Sequence, residues 1–302
     1  MHDFTYYAQI LISGLTIGSL YALIAIGYTM VYGILRLINF AHGDMFMVAD
    51  FIMIYITSWS SGFLGAGSIA VGLILTLILT VVLGVMIEKV AYKPLRSAPR
   101  MSVMISAIGV SYLLQNLSTY VTGGLAQAYP NIPWLRTEIQ IGGITVRRLA
   151  ILTPVLTILL VIALVIVIKH TKMGMAMRAV AKDFDTAQLM GIRIDRVISI
   201  TFVIGSFLAA VGSILYFSYI GQVSPTIGAM PGLKSFVAAV FGGIGSVPGA
   251  VIGSYIIGIC ETFIKSNQDI SIFSNAFTFA LLIIILLIKP NGLFGEKLKE
   301  KV

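Results

Sequence analysis

The sequence predicts an all-α polytopic membrane protein with eight or nine transmembrane helices, in a single domain covering 1–302. Three observations carry that prediction. Only 11% of the 302 residues are charged and 58% are hydrophobic, whereas soluble domains carry about 25% charged residues. The mean hydropathy is +0.99. The apolar residues also gather into runs near the roughly 20 residues that a helix needs to cross a bilayer. Inside lipid the backbone must satisfy its own hydrogen bonds, and a helix does so within one segment.

Six runs read as clean spans: Tyr7–Val31, Ile69–Ile87, Val103–Val121, Leu149–Ile168, Val197–Ile220 and Ile272–Ile288. Three more are less regular. Met45–Ile56 is short unless it extends back through "LINFAHGD". Leu233–Phe241 is too short for an ordinary crossing and ends in "GGIGSVPG". Ala250–Ile264 starts just after that glycine-rich break. The first run lacks the basic flank of a cleaved signal peptide and reads as a retained span. Cys260, the one cysteine, lies in an apolar run and reads as a small buried hydrophobe.

The net charge of +8 does not mark a nucleic-acid binder, because the basic residues sit in short connectors. Lys89, Lys93, Arg96 and Arg100 form one group. Lys169, Lys172, Arg178, Lys182, Arg193 and Arg196 form a second, and Lys297, Lys299 and Lys301 a third. The positive-inside rule puts all three in the cytoplasm, and with them the C-terminus. The connector Thr122–Arg148 then faces outward. Nine crossings place the N-terminus outside; eight, with one break re-entrant, reverse it.

Two stretches match in character. "GSLYALIAIGYTMVYG" begins at Gly18 and "GSFLAAVGSILYFSYIG" at Gly205. Each precedes a polar break, Leu35–Met45 or Gln222–Gly232, then a short apolar segment and two further spans. The third span of each half carries a late acid, Glu88 or Glu261. With nine crossings the halves, 7–122 and 197–290, run in opposite directions, as in the inverted repeats of transporters.

Polar side chains inside apolar runs face the bundle interior or water, because a charge at bilayer centre costs about 2.5–3.5 kcal/mol on insertion scales. Asn39, His42 and Asp50 are therefore candidates for a translocation pathway, with Gly242, Gly243 and Gly245 as a movable break around Pro248. Glu261 belongs to the same class. Gln115 and Asn116 read as internal hydrogen bonds between helices. The sequence offers no metal-ligand cluster, no H-E-x-x-H or G-x-S-x-G motif and no phosphate-binding G-x-x-x-x-G-K-[ST] loop. Catalytic residues are not expected, and Ser246 lacks a histidine partner nearby in the sequence.

One stretch is out of character. Segment 171–196 is polar, and within it Val180, Phe184, Ala187 and Gly191 recur at the spacing of one helical face. Asp183 or Asp185 suits a cap, and Gly191 a stop. Arg178, Lys182 and Gln188 lie off the stripe. Few large apolar anchors and no Trp favour a protein groove over the lipid surface as the seat of this face.

"RAVAKDFDTAQLMGI" resembles the cytoplasmic coupling segment of ABC importer permeases, where an Ala and a Gly a few residues apart enter a cleft on the ATPase. "GLTIGSLYALIAIGYTMVYGILRLINFAHGDMFM", "GLKSFVAAVFGGIGSVPGAVIGSYIIGICE" and "IKPNGLFG" resemble the branched-chain amino acid permeases of that class. The resemblance implies an ABC importer permease fold in a bacterial inner membrane and leucine, isoleucine or valine as cargo. It also implies Arg178, Val180, Asp183, Phe184, Ala187 and Gly191 as the ATPase-coupling residues. Implied partners are a second permease of the LivM type, two ATPases of the LivG and LivF types and an extracytoplasmic amino-acid-binding protein. No cofactor is implied in this chain; ATP and Mg belong to the ATPases. The competing class is an ion-coupled secondary transporter or channel, which gives the polar segment no task.

Overall fold

The computed structural model describes residues 4–65, 67–96, 98–141 and 144–295; Lys297, Lys299 and Lys301 lie outside them. Twelve α-helices follow one another among the described residues. They are α1 (Phe4–Leu35), α2 (His42–Leu64), α3 (Gly67–Ile87), α4 (Arg100–Thr122), the short α5 (Pro133–Arg136), α6 (Arg148–His170), α7 (Lys172–Lys182) and α8 (Phe184–Leu189). Then come α9 (Ile194–Ile220), α10 (Ala229–Gly242), α11 (Val247–Ser266) and α12 (Ser274–Ile288). Eight segments are long and apolar enough to cross a membrane, and the 14-residue α10 is apolar but shorter. The chain is a multi-pass membrane protein.

Most helices run past the apolar runs that announce them. The second begins at His42 rather than Met45 and reaches Leu64, so the polar "HGD" forms its first turn. A continuous backbone ladder carries Ser, Thr and Gly as readily as Leu once neighbouring helices cover them. Two short antiparallel ladders also form, which an all-helical reading does not foresee. Gln127–Ala128 (β1) pairs with Gln222–Val223 (β4), and Glu138–Ile141 (β2) with Ile144–Arg147 (β3). In the second, Ile139 opposes Val146 and turns it into the protein.

Contacts between helix ends sort the bundle into two faces. On one, Tyr6 near the start of α1 donates to the Ser266 carbonyl at the end of α11, and Thr16 donates to Ala150 at the start of α6. The β ladders lie on this face. On the other, Arg36 just after α1 donates to the Ala181 carbonyl in α7, and Lys93 pairs with Asp195 at the start of α9. The basic residues 89–100 and 169–196 share this second face. The starts of α2 and α10 belong to neither: they meet inside, where a Cβ on Gly43 would lie 2.9 Å from the Gly228 carbonyl and 3.0 Å from the Gly232 Cα.

The core is built on α1 and α9, the most buried helices. Their inward side chains, among them Leu20, Leu23 and Phe202, pack with Met45 of α2. α1 and α11 pack closely along their length. A Cβ on Gly14 would stand 2.9 Å from the Ile259 Cα, one on Gly18 2.8 Å from the Tyr255 Cα, and one on Gly258 would strike the Gly18 backbone. Small residues one turn apart on both helices let the backbones touch, which is how helices associate where lipid supplies no hydrophobic drive.

Candidate functional site

The polar segment of the second face is two helices, not one. Asp183 has an extended backbone (φ −158°, ψ 115°) and ends α7; its carboxylate accepts the Thr186 N–H at 3.1 Å and starts α8. The cap falls where the sequence allows it, but it breaks the expected continuous rod. Gly191, at φ +82°, closes α8 in a left-handed conformation that suits glycine.

The orientation of the stripe is a correction. Val180 is 0% and Ala187 4% exposed, and both join the core of this chain, with Phe184 packed against it. They are not surface residues awaiting a groove. The outward side of α8 carries Asp185, Gln188 and Leu189, followed by Met190 at its C-cap; Leu189 and Met190 are 88% and 78% exposed. A consecutive apolar pair inside a polar stretch was the signal for these two.

The segment is braced to the bundle. Thr171 caps α7 by accepting the Gly174 N–H at 3.0 Å. Arg178 does not reach outward for a partner either: its guanidinium donates to the Ile168 carbonyl and closes the end of α6. Arg36 holds Ala181 from α1. The contacts tie α8 through α7 to the end of α6 and to Arg36 after α1, and Ala187 shares a core cluster with Val197 and Ile198 of α9.

Asn39, His42 and Asp50 are buried inside the chain, where His42 Nε2 and Asp50 Oδ1 have no hydrogen-bond partner. His42 is wedged between α1 and α9, with its ring on Gly27 and near Gly205, and it lies 4.9 Å from the Tyr28 ring centre. Asn39 accepts from Tyr92 at 2.8 Å. Asp50 accepts from Ser213 of α9 at 2.5 Å. These bonds fasten helices to one another. Gly242, Gly243 and Gly245 are not beside them: they form the turn from α10 to α11 on the second face. Gly242 packs on the Gly249 carbonyl, and Gly243 and Gly245 have φ of +110° and +100°. Here the "NGLFG" residues dock as a bent segment, with Gly292 at φ +75°. Leu293 and Phe294 donate to the Phe241 and Gly242 carbonyls at 2.9 Å each, satisfying groups that the end of α10 leaves open.

Gln115 donates to Asp44 at 3.0 Å across α2 and α4, as an interhelical bond should. Asn116 does not: it is exposed and donates to the Tyr112 carbonyl of its own helix. Cys260 is half-buried rather than buried. Two ion clusters stand apart in the bundle. Glu88 is buried against Arg96 and accepts from Ser199 at 2.9 Å. Glu261 is buried against Lys234 (2.6 Å), Lys265 (2.5 Å) and the Tyr21 hydroxyl (2.9 Å). The lone Lys234 in an apolar run was the sign that a distant carboxylate faced it.

A many-spanned helical bundle with a braced polar segment on one face defines a multi-pass membrane protein. The chain belongs to the family described as branched-chain amino acid transport system / permease component, whose match covers residues 10–286. It is 40% identical to the high-affinity branched-chain amino acid transport system permease protein LivH of Salmonella typhimurium, over 99% of each chain. It is 41% identical to the LivH of Escherichia coli K12, again over 99% of each, and 39% identical to the BraD permease of Pseudomonas aeruginosa over 100% of each. A permease component of a transport system works with partner subunits.

Proposed function

We propose that this chain carries leucine, isoleucine and valine through the bacterial inner membrane as one permease subunit of an ATP-driven importer. The observation that carries the reading is the exposed apolar pair Leu189–Met190 on a helix braced to α6, α1 and α9, in a chain that matches the permease family from end to end. The second face is then cytoplasmic, with the start of α1 outside and the C-terminus inside. That order reads as nine passes. The unit α1–α4 recurs, inverted, as α9–α12, and the breaks before α2 and α10 meet between the halves. The starts of α2 and α10, with Asn39, His42 and Asp50 near them, are the hinge region of the pathway.

ATP and Mg are bound by two partner ATPases of the LivG and LivF types. A second permease of the LivM type completes the membrane unit, and an extracytoplasmic binding protein delivers the amino acid. Nucleotide-driven closure of the ATPases displaces α8, and the braces convert that displacement into rigid-body rocking of the halves. Among the coupling residues, Asp183 sets the angle of α8, Gly191 releases the chain into α9, and Arg178, Val180, Phe184 and Ala187 transmit the load inward.

The test is Leu189→Asp with Met190→Asp in the assembled complex. Both side chains are exposed, so the chain should insert and fold, while substrate-stimulated ATP hydrolysis and uptake are lost. Normal coupling in that variant would overturn the role of α8. Uptake by the purified chain under a proton or sodium gradient without ATPases would overturn the importer itself.

A further inference from the structure

The second face holds a cavity of about 920 Å³ between the α1–α2 break, the start of α4, and the α8–α9 joint. Three guanidinium groups line it: Arg96, Arg100 and Arg193. Its one carboxylate, Asp195, is already held by Lys93 at 2.8 Å and by Arg96. Among the described residues, Arg100 and Arg193 have no ion-pair partner. The Arg96 Nε is buried and has no hydrogen-bond acceptor. The long helices α4 and α9 both begin at this cavity, and no side chain caps either start. Arg96 is neutralised by Glu88 and Asp195, so the positive ends of these helices add to the two unpaired arginines, Arg100 and Arg193.

A small hydrated anion would account for the charge but not for the walls. Leu37, Val103 and Ile192 line the same cavity, and just beyond it Met101 and Ile105 are exposed on the outer surface of α4. The chemistry that fits both is a phosphate group joined to apolar chains. We propose that this cavity binds the headgroup of an anionic phospholipid, with its phosphate at Arg100 and Arg193, beside an Arg96 that Glu88 and Asp195 already hold, and its acyl chains running along α4. Basic pockets between transmembrane helices favour such headgroups, and guanidinium forks match phosphate oxygens in pairs. The bound lipid would join α4 to the α8–α9 joint. The proposal requires neither an ATPase nor cargo, so its failure would leave the transport reading intact.

Native mass spectrometry of the detergent-solubilised full chain tests it. Phosphatidylglycerol should be retained as one tightly bound molecule, whereas phosphatidylcholine and inorganic phosphate should not. In the double variant Arg100→Gln, Arg193→Gln, binding should weaken about tenfold or more, as expected for lost charge-assisted hydrogen bonds. A variant with equal charge loss on the same face but outside the cavity, Lys169→Gln with Lys172→Gln, should bind as the parent does. If the first double variant fails to fold, Arg100→Lys with Arg193→Lys keeps the charges and should retain the lipid. Equal loss in both Gln variants would show surface charge alone and overturn the site. Retention of inorganic phosphate as tight as that of lipid would show a free-anion site and overturn the lipid assignment.

Discussion

Lys234 of α10 places its ammonium 2.6 Å from the Glu261 carboxylate of α11, with side-chain exposures of 7% and 1%. Lys265 reaches the same carboxylate from one turn away, but its own side chain is more than half exposed. The two lysines should therefore differ in value. Lys234→Ala takes away the buried partner and should destabilise the chain by about 3 kcal/mol, the low end for breaking a buried pair, because Lys265 and Tyr21 remain. Lys265→Ala should cost about 0–1 kcal/mol. Unfolding midpoints in detergent would separate them, and the reverse ranking would make Lys265 the principal partner.

Gly258 is the tightest test of the α1–α11 seam, since a Cβ there would strike the Gly18 backbone. Gly258→Val should push the helices apart and destabilise by about 3 kcal/mol, the upper range for overpacking. Gly62→Ala, where a Cβ meets nothing within 4 Å, should leave the midpoint unchanged or slightly raised. Equal midpoints for the two variants would show that the seam yields.

Asp50 is fully buried and bonded to Ser213. Asp50→Asn keeps an oxygen for that hydroxyl and should retain ATP-driven uptake in the complex. Asp50→Leu removes the acceptor and should destabilise by about 1–3 kcal/mol. A folded Asp50→Asn chain without uptake would move this carboxyl from fastening helices to handling ions or cargo.

Asp183→Ala removes the cap of α8 and should weaken that helix by about 1 kcal/mol. Amide hydrogen exchange should then accelerate over 184–190 and stay unchanged in α7, whose cap is Thr171. Acceleration spread over both helices would show that they open as one unit.

The apolar runs located all nine apolar helices, because length and hydropathy are local properties of the chain. Their ends were less legible: "HGD" before Met45 looks like a loop until α1 and α9 are seen to enclose His42, α10 to meet Gly43 and α4 to reach Asp44. Periodicity also found the stripe Val180–Ala187, but a period names a face without naming its neighbour. The bundle itself turned out to be that neighbour. The extended backbone at Asp183 was legible only as a cap. Lys234 with Glu261, and Gly18 with Gly258, were hidden for a different reason: each pair is distant in sequence, and no local pattern reports which helices pack side by side.

The docking of Leu293 and Phe294 onto the last carbonyls of α10 has a consequence for biosynthesis. The ribosome makes α10 well before it makes the residues that complete it. Until α11 and α12 have entered the bilayer and the segment behind them folds back, two acceptors at the tip of α10 stay open to water or the insertion machinery. Completion of the α10 tip is thereby deferred until residues 293–294 have been made, and a nascent protein stalled before Leu293 would leave that end uncapped.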